Sequence, residues 1–192
     1  MFNLYLQLGF EHIADIAGYD HILFLLTLCG VYILKQWKNV LVLVTAFTIG
    51  HTVTLALATL NFIRISTDLI EFLIPVTIFI TAIANILYKQ TNFNRTLHLI
   101  KYATALFFGL IHGLGFSNYL RSLLGMEDSL VMPLFAFNIG IELGQLIIVG
   151  IILSISVLLI RKAGMIRREW NLILSGMGLG ISLILMIERF PF

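Results

Sequence analysis

Six stretches of this chain are apolar for long enough to cross about 30 Å of hydrocarbon at about 1.5 Å per residue, and that feature removes most folds from consideration. They run near Gly18–Leu34, Asn39–Leu60, Leu69–Tyr88, Tyr102–Tyr119, Leu130–Ile160 and Asn171–Ile187. Lipid offers no partner to an open backbone N–H or C=O, so such stretches are helices; no alternating strand pattern suggests a barrel. The expected fold class is all-α: a polytopic transmembrane bundle of about six spanning helices over residues 18–187. Residues 1–17, mixed apolar and acidic, read as a short helix that lies at the interface or folds back over the bundle, with Gly18 as the break. The fifth stretch exceeds a span's needs, which implies tilt or protrusion.

Composition agrees. Only 11% of the 192 residues are charged, against about 25% in a soluble domain, and mean hydropathy is +1.01. With three prolines and no Ser/Pro-rich tract, residues 1–192 read as one domain. Met1 is followed by no basic region and no small-residue cleavage site, so the first apolar segment is expected to stay in the protein. A single Cys29 excludes an internal disulfide framework.

The basic residues predict orientation. Of 12 Lys and Arg, alternate connections hold Lys35, Lys38, Lys89, Arg95, Lys101, Arg161, Lys162, Arg167 and Arg168, and the opposite face only Arg64, Arg121 and Arg189. By the positive-inside rule the basic side is cytoplasmic and both termini face the periplasm or exterior, as in a multi-pass protein of a bacterial inner membrane. The sequon at Asn94 then faces the cytoplasm and reads as chance. Trp37, Trp170, Tyr88 and Tyr102 fall near span ends, as interfacial anchors do. The expected partners are the lipid bilayer and no nucleic acid; a homo-oligomer or a metalloenzyme-maturation partner is compatible with the sequence.

The polar residues inside the spans are few. Asp20-His21 opens span one, after Glu11, His12 and Asp15. Span two carries His51 among Thr48, Thr52 and Thr54; span three has Asp68, Glu71 and Asn85; span four holds His112; span five has Asn138, Glu142 and Gln145. Span six, with Ser175 and Ser182, reads as a lipid-facing wall. Counting along the spans puts His51 roughly 18 Å from the basic side and His112, Asn138 and Glu142 in the same layer. Asn138, Glu142 and Gln145 share a helix face.

An ionised group at the centre of a membrane helix costs about 2.5–3.5 kcal/mol on insertion scales, so several together imply mutual satisfaction or a bound ion. Imidazole and carboxylate suit Zn, Ni, Co or Fe. The candidate metal ligands are therefore His21, His51, His112, Glu142 and Asp20. Cys29 lies two turns below His21, which disfavours a thiolate site. Gly109, Gly113 and Gly115, and Gly140 and Gly144, read first as close-packing faces that could also leave room for an ion path.

The strings GFEHIADIAGYDHILFLLTL, TAFTIGHTVTLALA, FFGLIHGLGFS and FNIGIELGQL resemble, in order, the HupE/UreJ-like membrane proteins. The resemblance runs from about Gly9 to Gln145 and implies a small polytopic nickel or cobalt permease, or a hydrogenase or urease accessory protein. It carries the family's first-helix motif onto His12, Asp20 and His21, its further histidines onto His51 and His112, and its Asn–Glu–Gln motif onto Asn138, Glu142 and Gln145. The gap between His12 and Asp20 is a residue or two longer than the family's usual spacing, so His12 joins Asn138 and Gln145 as a supporting residue.

The favoured function is thus a divalent transition-metal permease, for Ni, Co or Zn, with the site in the outer half of the bilayer. No Walker A motif is present, so transport would be ion-coupled, passive or partner-driven. Internal repetition is limited to a loose echo between spans two and four. The alternative from another class is a zinc-dependent intramembrane hydrolase, in which three histidines and a carboxylate hold Zn and Asp20 or Glu142 is the general base. A non-transporting accessory protein is the third reading.

Overall fold

The computed structural model describes residues 1–87, 95–124 and 130–191. Tyr88, Lys89 and Asn94 lie outside the described residues, as do the side chains of Arg95 and Arg121. Among those described, the chain is all helix: α1 (Phe2–Ala14), α2 (Asp20–Cys29), α3 (Trp37–Thr59), α4 (Thr67–Leu87), α5 (Arg95–Gly115), α6 (Ser117–Leu124), α7 (Val131–Val157) and α8 (Arg167–Glu188). A 3₁₀ turn, Leu34–Gln36, leads into α3, and a π-helical stretch, Leu158–Lys162, prolongs α7. Asn61 (φ 66) and Gly164 (φ 74), just past the ends of these two long helices, take the left-handed conformation that stops a helix.

Among the described residues, four helices are long and apolar enough to cross a membrane: Leu34–Thr59, Thr67–Leu87, Val131–Lys162 and Arg167–Glu188. The chain is a multi-pass membrane protein. Of the roughly six expected spans, these four have the length and apolarity; the other two stretches form a shorter and a more polar helix. α5 is 21 residues long, but Arg95, His98 and Lys101 dilute its first turns. The apolar run Gly18–Leu34 resolves into α2, only ten residues, or about 15 Å. α1 stops where Asp15 leaves helical conformation (ψ 117) and its carboxylate accepts the Ala17 N–H at 2.8 Å, and α2 starts only at Asp20.

Residues 2–14 are no surface appendage. α1 lies parallel to α7, with Gly9 against the backbone of Phe137 and Ile141, and Ile13 against Gly144. α2 continues through the other half of the bundle, packed on α4, α7 and α8. There the Asn85 amide donates to the Thr27 carbonyl (2.7 Å), and Gly30 abuts Asn171 and Ser175. α1 and α2 are two half-length helices at successive levels, and the chain just past the second reaches the basic end of the molecule, where Lys35 shares a surface pocket with Arg161 and Arg167.

The two halves of the chain, α1–α4 and α5–α8, are built alike and run in opposite directions. Leu6, Gly9 and His12 recur with the same spacing as Leu106, Gly109 and His112. Ala46-Phe47-Thr48-Ile49-Gly50 recurs as Ala136-Phe137-Asn138-Ile139-Gly140. The packing repeats too. Gly9 meets the Phe137 carbonyl while Gly140 meets that of Leu6, and Gly109 meets the Phe47 carbonyl while Gly50 meets that of Leu106. A Cβ at any of the four would collide with backbone, so the absence of a side chain is what lets α1 reach α7 and α5 reach α3. On α4 the buried positions Ile70, Ile74, Pro75, Ile78, Ala82 and Asn85 recur on α8 as Trp170, Leu174, Ser175, Gly178, Ser182 and Leu185. α4 and α8 pack antiparallel, Phe72 against Phe190 at one end and Asn85 bonded to Asn171 at the other. α3 and α5 start at the basic end and α1 and α7 at the opposite one, so the repeats are inverted.

Candidate metal centre

The centre is made by the interruption between α1 and α2. In a continuous helix, His12 and His21 would stand about 13.5 Å apart along the axis and on opposite faces. The turn over residues 15–19 cancels that offset, and the two rings meet edge to face with centroids 4.6 Å apart. His51, fully buried on α3, completes the group, 5.8 Å from His12 and 6.1 Å from His21 between centroids. Gly50 and Gly113 keep the backbone of α5 tight against this part of α3.

One ligand nitrogen from each of His12, His21 and His51 lies within 4.8 Å of the others. Two nitrogens each about 2.1 Å from one tetrahedral ion are about 3.4 Å apart, so closing on an ion draws the rings inward by about an ångström. The hydrogen bonding favours such a ligand. Nε2 of His12 and of His21 and both ring nitrogens of His51 are buried without a hydrogen-bond partner among the described residues. Buried polar atoms are nearly always paired, and several unpaired imidazole nitrogens gathered within one small space fit a metal-binding role. Neutral imidazole nitrogens are the donor set for Zn, Ni or Co.

His112 stands beside the trio, its ring 5.3 Å from that of His21. Its Nε2 is 3.0 Å from the Thr77 hydroxyl on α4, its Nδ1 has no partner among the described residues, and Phe24 and Phe47 pack around it. The carboxylates named in the sequence have partners of their own. Asp20 Oδ2 accepts from Arg189 Nη1 at 2.9 Å, just beyond α8, and its Oδ1 is buried and unpartnered. Glu142 accepts the Thr45 hydroxyl at 2.7 Å. Asn138 accepts from Thr52 at 2.6 Å and Gln145 from Thr48 at 2.7 Å. The face shared by Asn138, Glu142 and Gln145 thus meets the threonines of α3.

His12 alone of the trio lines a surface depression. A depression of about 710 Å³ is lined by Glu11, His12, Asp15 and Tyr119, with apolar neighbours. Phe116, at the end of α5, covers His12 with ring centroids 3.9 Å apart and stacks on Phe137 at 5.2 Å. Phe116 and Tyr119 carry no chemistry of their own, and reading for ligand types passes over them. The available signal is positional: Phe116 follows His112 as Ile16 follows His12, and Tyr119 corresponds to Tyr19.

Residues 1–189 match the family model described as HupE / UreJ protein. No curated protein and no solved structure matches the chain.

Proposed function

The chain belongs to the HupE/UreJ family, and from that premise we propose that it is a permease for a divalent transition metal of the nickel and cobalt class, held in transit by His12, His21 and His51, with His112 alongside. The observation that carries transport over storage or catalysis is the inverted repeat. Two copies of one helix arrangement in opposite orientation can exchange conformations, so that a site between them faces first one end and then the other. The histidines lie where the repeats meet, beside the interruption between the half-length helices, and transporters commonly place their sites at such interruptions. A donor set of neutral imidazoles without thiolate suits a cargo that must also leave. In the membrane, the basic end is cytoplasmic.

The hydrolase reading needs a carboxylate free to act as base beside the metal. Asp20 is paired with Arg189, Glu142 accepts from Thr45, and neither groups with the trio's ligand atoms, which weighs against it. The deciding experiment uses the full chain in proteoliposomes. Permease activity predicts saturable nickel or cobalt uptake, reduced to background by His51→Ala. Tightly retained zinc with no uptake would support the hydrolase, and neither retention nor uptake would remove both readings.

A further inference from the structure

The depression beside His12 carries more information than a route of access. Ile13 packs on Gly144, midway along α7, so Glu11 and Asp15 stand near mid-length of the bundle. Both are exposed. Carboxylates at that depth are not left against hydrocarbon; they face the bundle interior or water. The depression between α1 and the α5–α6 junction offers them that exposure, and His12 belongs both to its wall and to the trio.

The repeat supplies a control inside the same molecule. His12 corresponds to His112, but Glu11 corresponds to Ile111 and Asp15 to Gly115. The second half thus has the histidine without the carboxylates. It is also closed, since His112 is enclosed by Thr77, Phe24 and Phe47 and is 1% exposed. We infer that the depression is the loading vestibule of the permease: Glu11 and Asp15 gather hydrated divalent cations, Phe116 is the lid over His12, and the apolar counterparts on α5 form the releasing side. An acidic funnel raises the local cation concentration and the association rate, whereas a neutral path does not hold the ion on its way out. Loading then occurs by way of α1, from the end opposite the basic residues, and release by way of α5.

This inference rests on the permease reading, and kinetics separate the two. The test is nickel and cobalt uptake by the full chain in proteoliposomes against concentration and ionic strength. The Glu11→Gln/Asp15→Asn double variant should raise the half-saturating concentration about tenfold, leave the maximal rate within about twofold, and lose most of the salt dependence seen in the parent. The amide oxygen that Asp15→Asn introduces can still accept the Ala17 N–H, so the turn survives, and unchanged cobalt binding at saturation would verify an intact trio. Phe116→Ala should speed association without moving the equilibrium affinity by more than about threefold. Parent uptake with an unchanged half-saturation in the double variant would overturn the vestibule and leave the permease standing. A parent that neither binds nor transports either metal would overturn both. Placing Ile111→Glu and Gly115→Asp in the parent tests direction: slowed release with unaltered loading is expected, and faster loading from the basic end would overturn the assignment.

Discussion

Two polar regions occupy the same bundle and handle their polarity in opposite ways. Along the contact of α3 with α7, Thr45, Thr48 and Thr52 each reach a side-chain oxygen of Glu142, Gln145 or Asn138 at 2.6–2.7 Å. The Thr48 and Thr52 hydroxyls also lie near the carbonyls four residues back, and the Asn138 amide donates to Leu134. Apart from the Gln145 amide nitrogen, that seam consumes its own hydrogen bonds. One or two helical turns away, His12, His21 and His51 stand together with several buried ring nitrogens that have no partner among the described residues. A satisfied seam joins helices. An unsatisfied cluster spends folding stability to hold its donor atoms in place, as a binding site does.

Removing a histidine should therefore damage binding and help folding, and this is the largest effect expected. His51→Leu deletes a ligand and two buried orphan nitrogens while keeping an apolar volume on α3. Cobalt affinity, followed by its visible absorption, should fall more than about a hundredfold, beyond the 10–100-fold typical of outer-sphere changes. In the metal-free protein the same variant should raise Tm, since each unpaired buried polar atom costs about 1–3 kcal/mol. If affinity and Tm both fell, the orphan nitrogens would be structural and the contrast between the regions would fail.

The long apolar helices can be read from residue type alone, because hydrocarbon leaves a chain few alternatives. So can the histidines, which stand out on any helix that lipid must accept. Placing them is another matter. His12 and His21 are nine residues apart, and their meeting depends on a short turn whose determinants, Asp15 and Gly18, look like ordinary loop residues. Periodicity puts Asn138, Glu142 and Gln145 on one face, yet a helical face does not say which neighbour it meets, and α3 presents threonines there. The repeat is hidden for a related reason. Its first helix is too short and too acidic to resemble a span, so α1 does not invite comparison with α5, and few positions beyond the close-packing glycines need to be identical for the backbones to match. Arg189 shows the limit most plainly, since nothing local in the sequence ties the end of α8 to the start of α2.

That ion pair lies between the two regimes and gives an intermediate effect. Asp20 has one satisfied oxygen and one buried orphan, and its side chain is 13% exposed against 28% for Arg189. Arg189→Gln leaves a carboxylate in a poorly solvated place without its counter-charge. The loss should be about 1–2 kcal/mol, less than the 3–5 typical of fully buried pairs because Arg189 retains some water. Adding Asp20→Asn should recover most of it, and thermal melts of the two single variants and the double variant close the cycle. An additive double variant would mean that the contact contributes nothing to the fold.

The seam should be the most forgiving region. Thr48→Ala removes the hydroxyl that reaches Gln145 and leaves the helix backbone untouched. Interhelical hydrogen bonds in membranes average about 0.6 kcal/mol, so the melt should shift by that small amount. Cobalt affinity should stay within about twofold, although Thr48 is only three residues from His51 on the same helix. Proximity alone would predict a large effect on the metal. A small one would establish that distance from the histidines matters less than whether a polar group already has its partner. Loss of metal binding in Thr48→Ala would instead make seam and cluster one cooperative network, with Gln145 holding His51 in place.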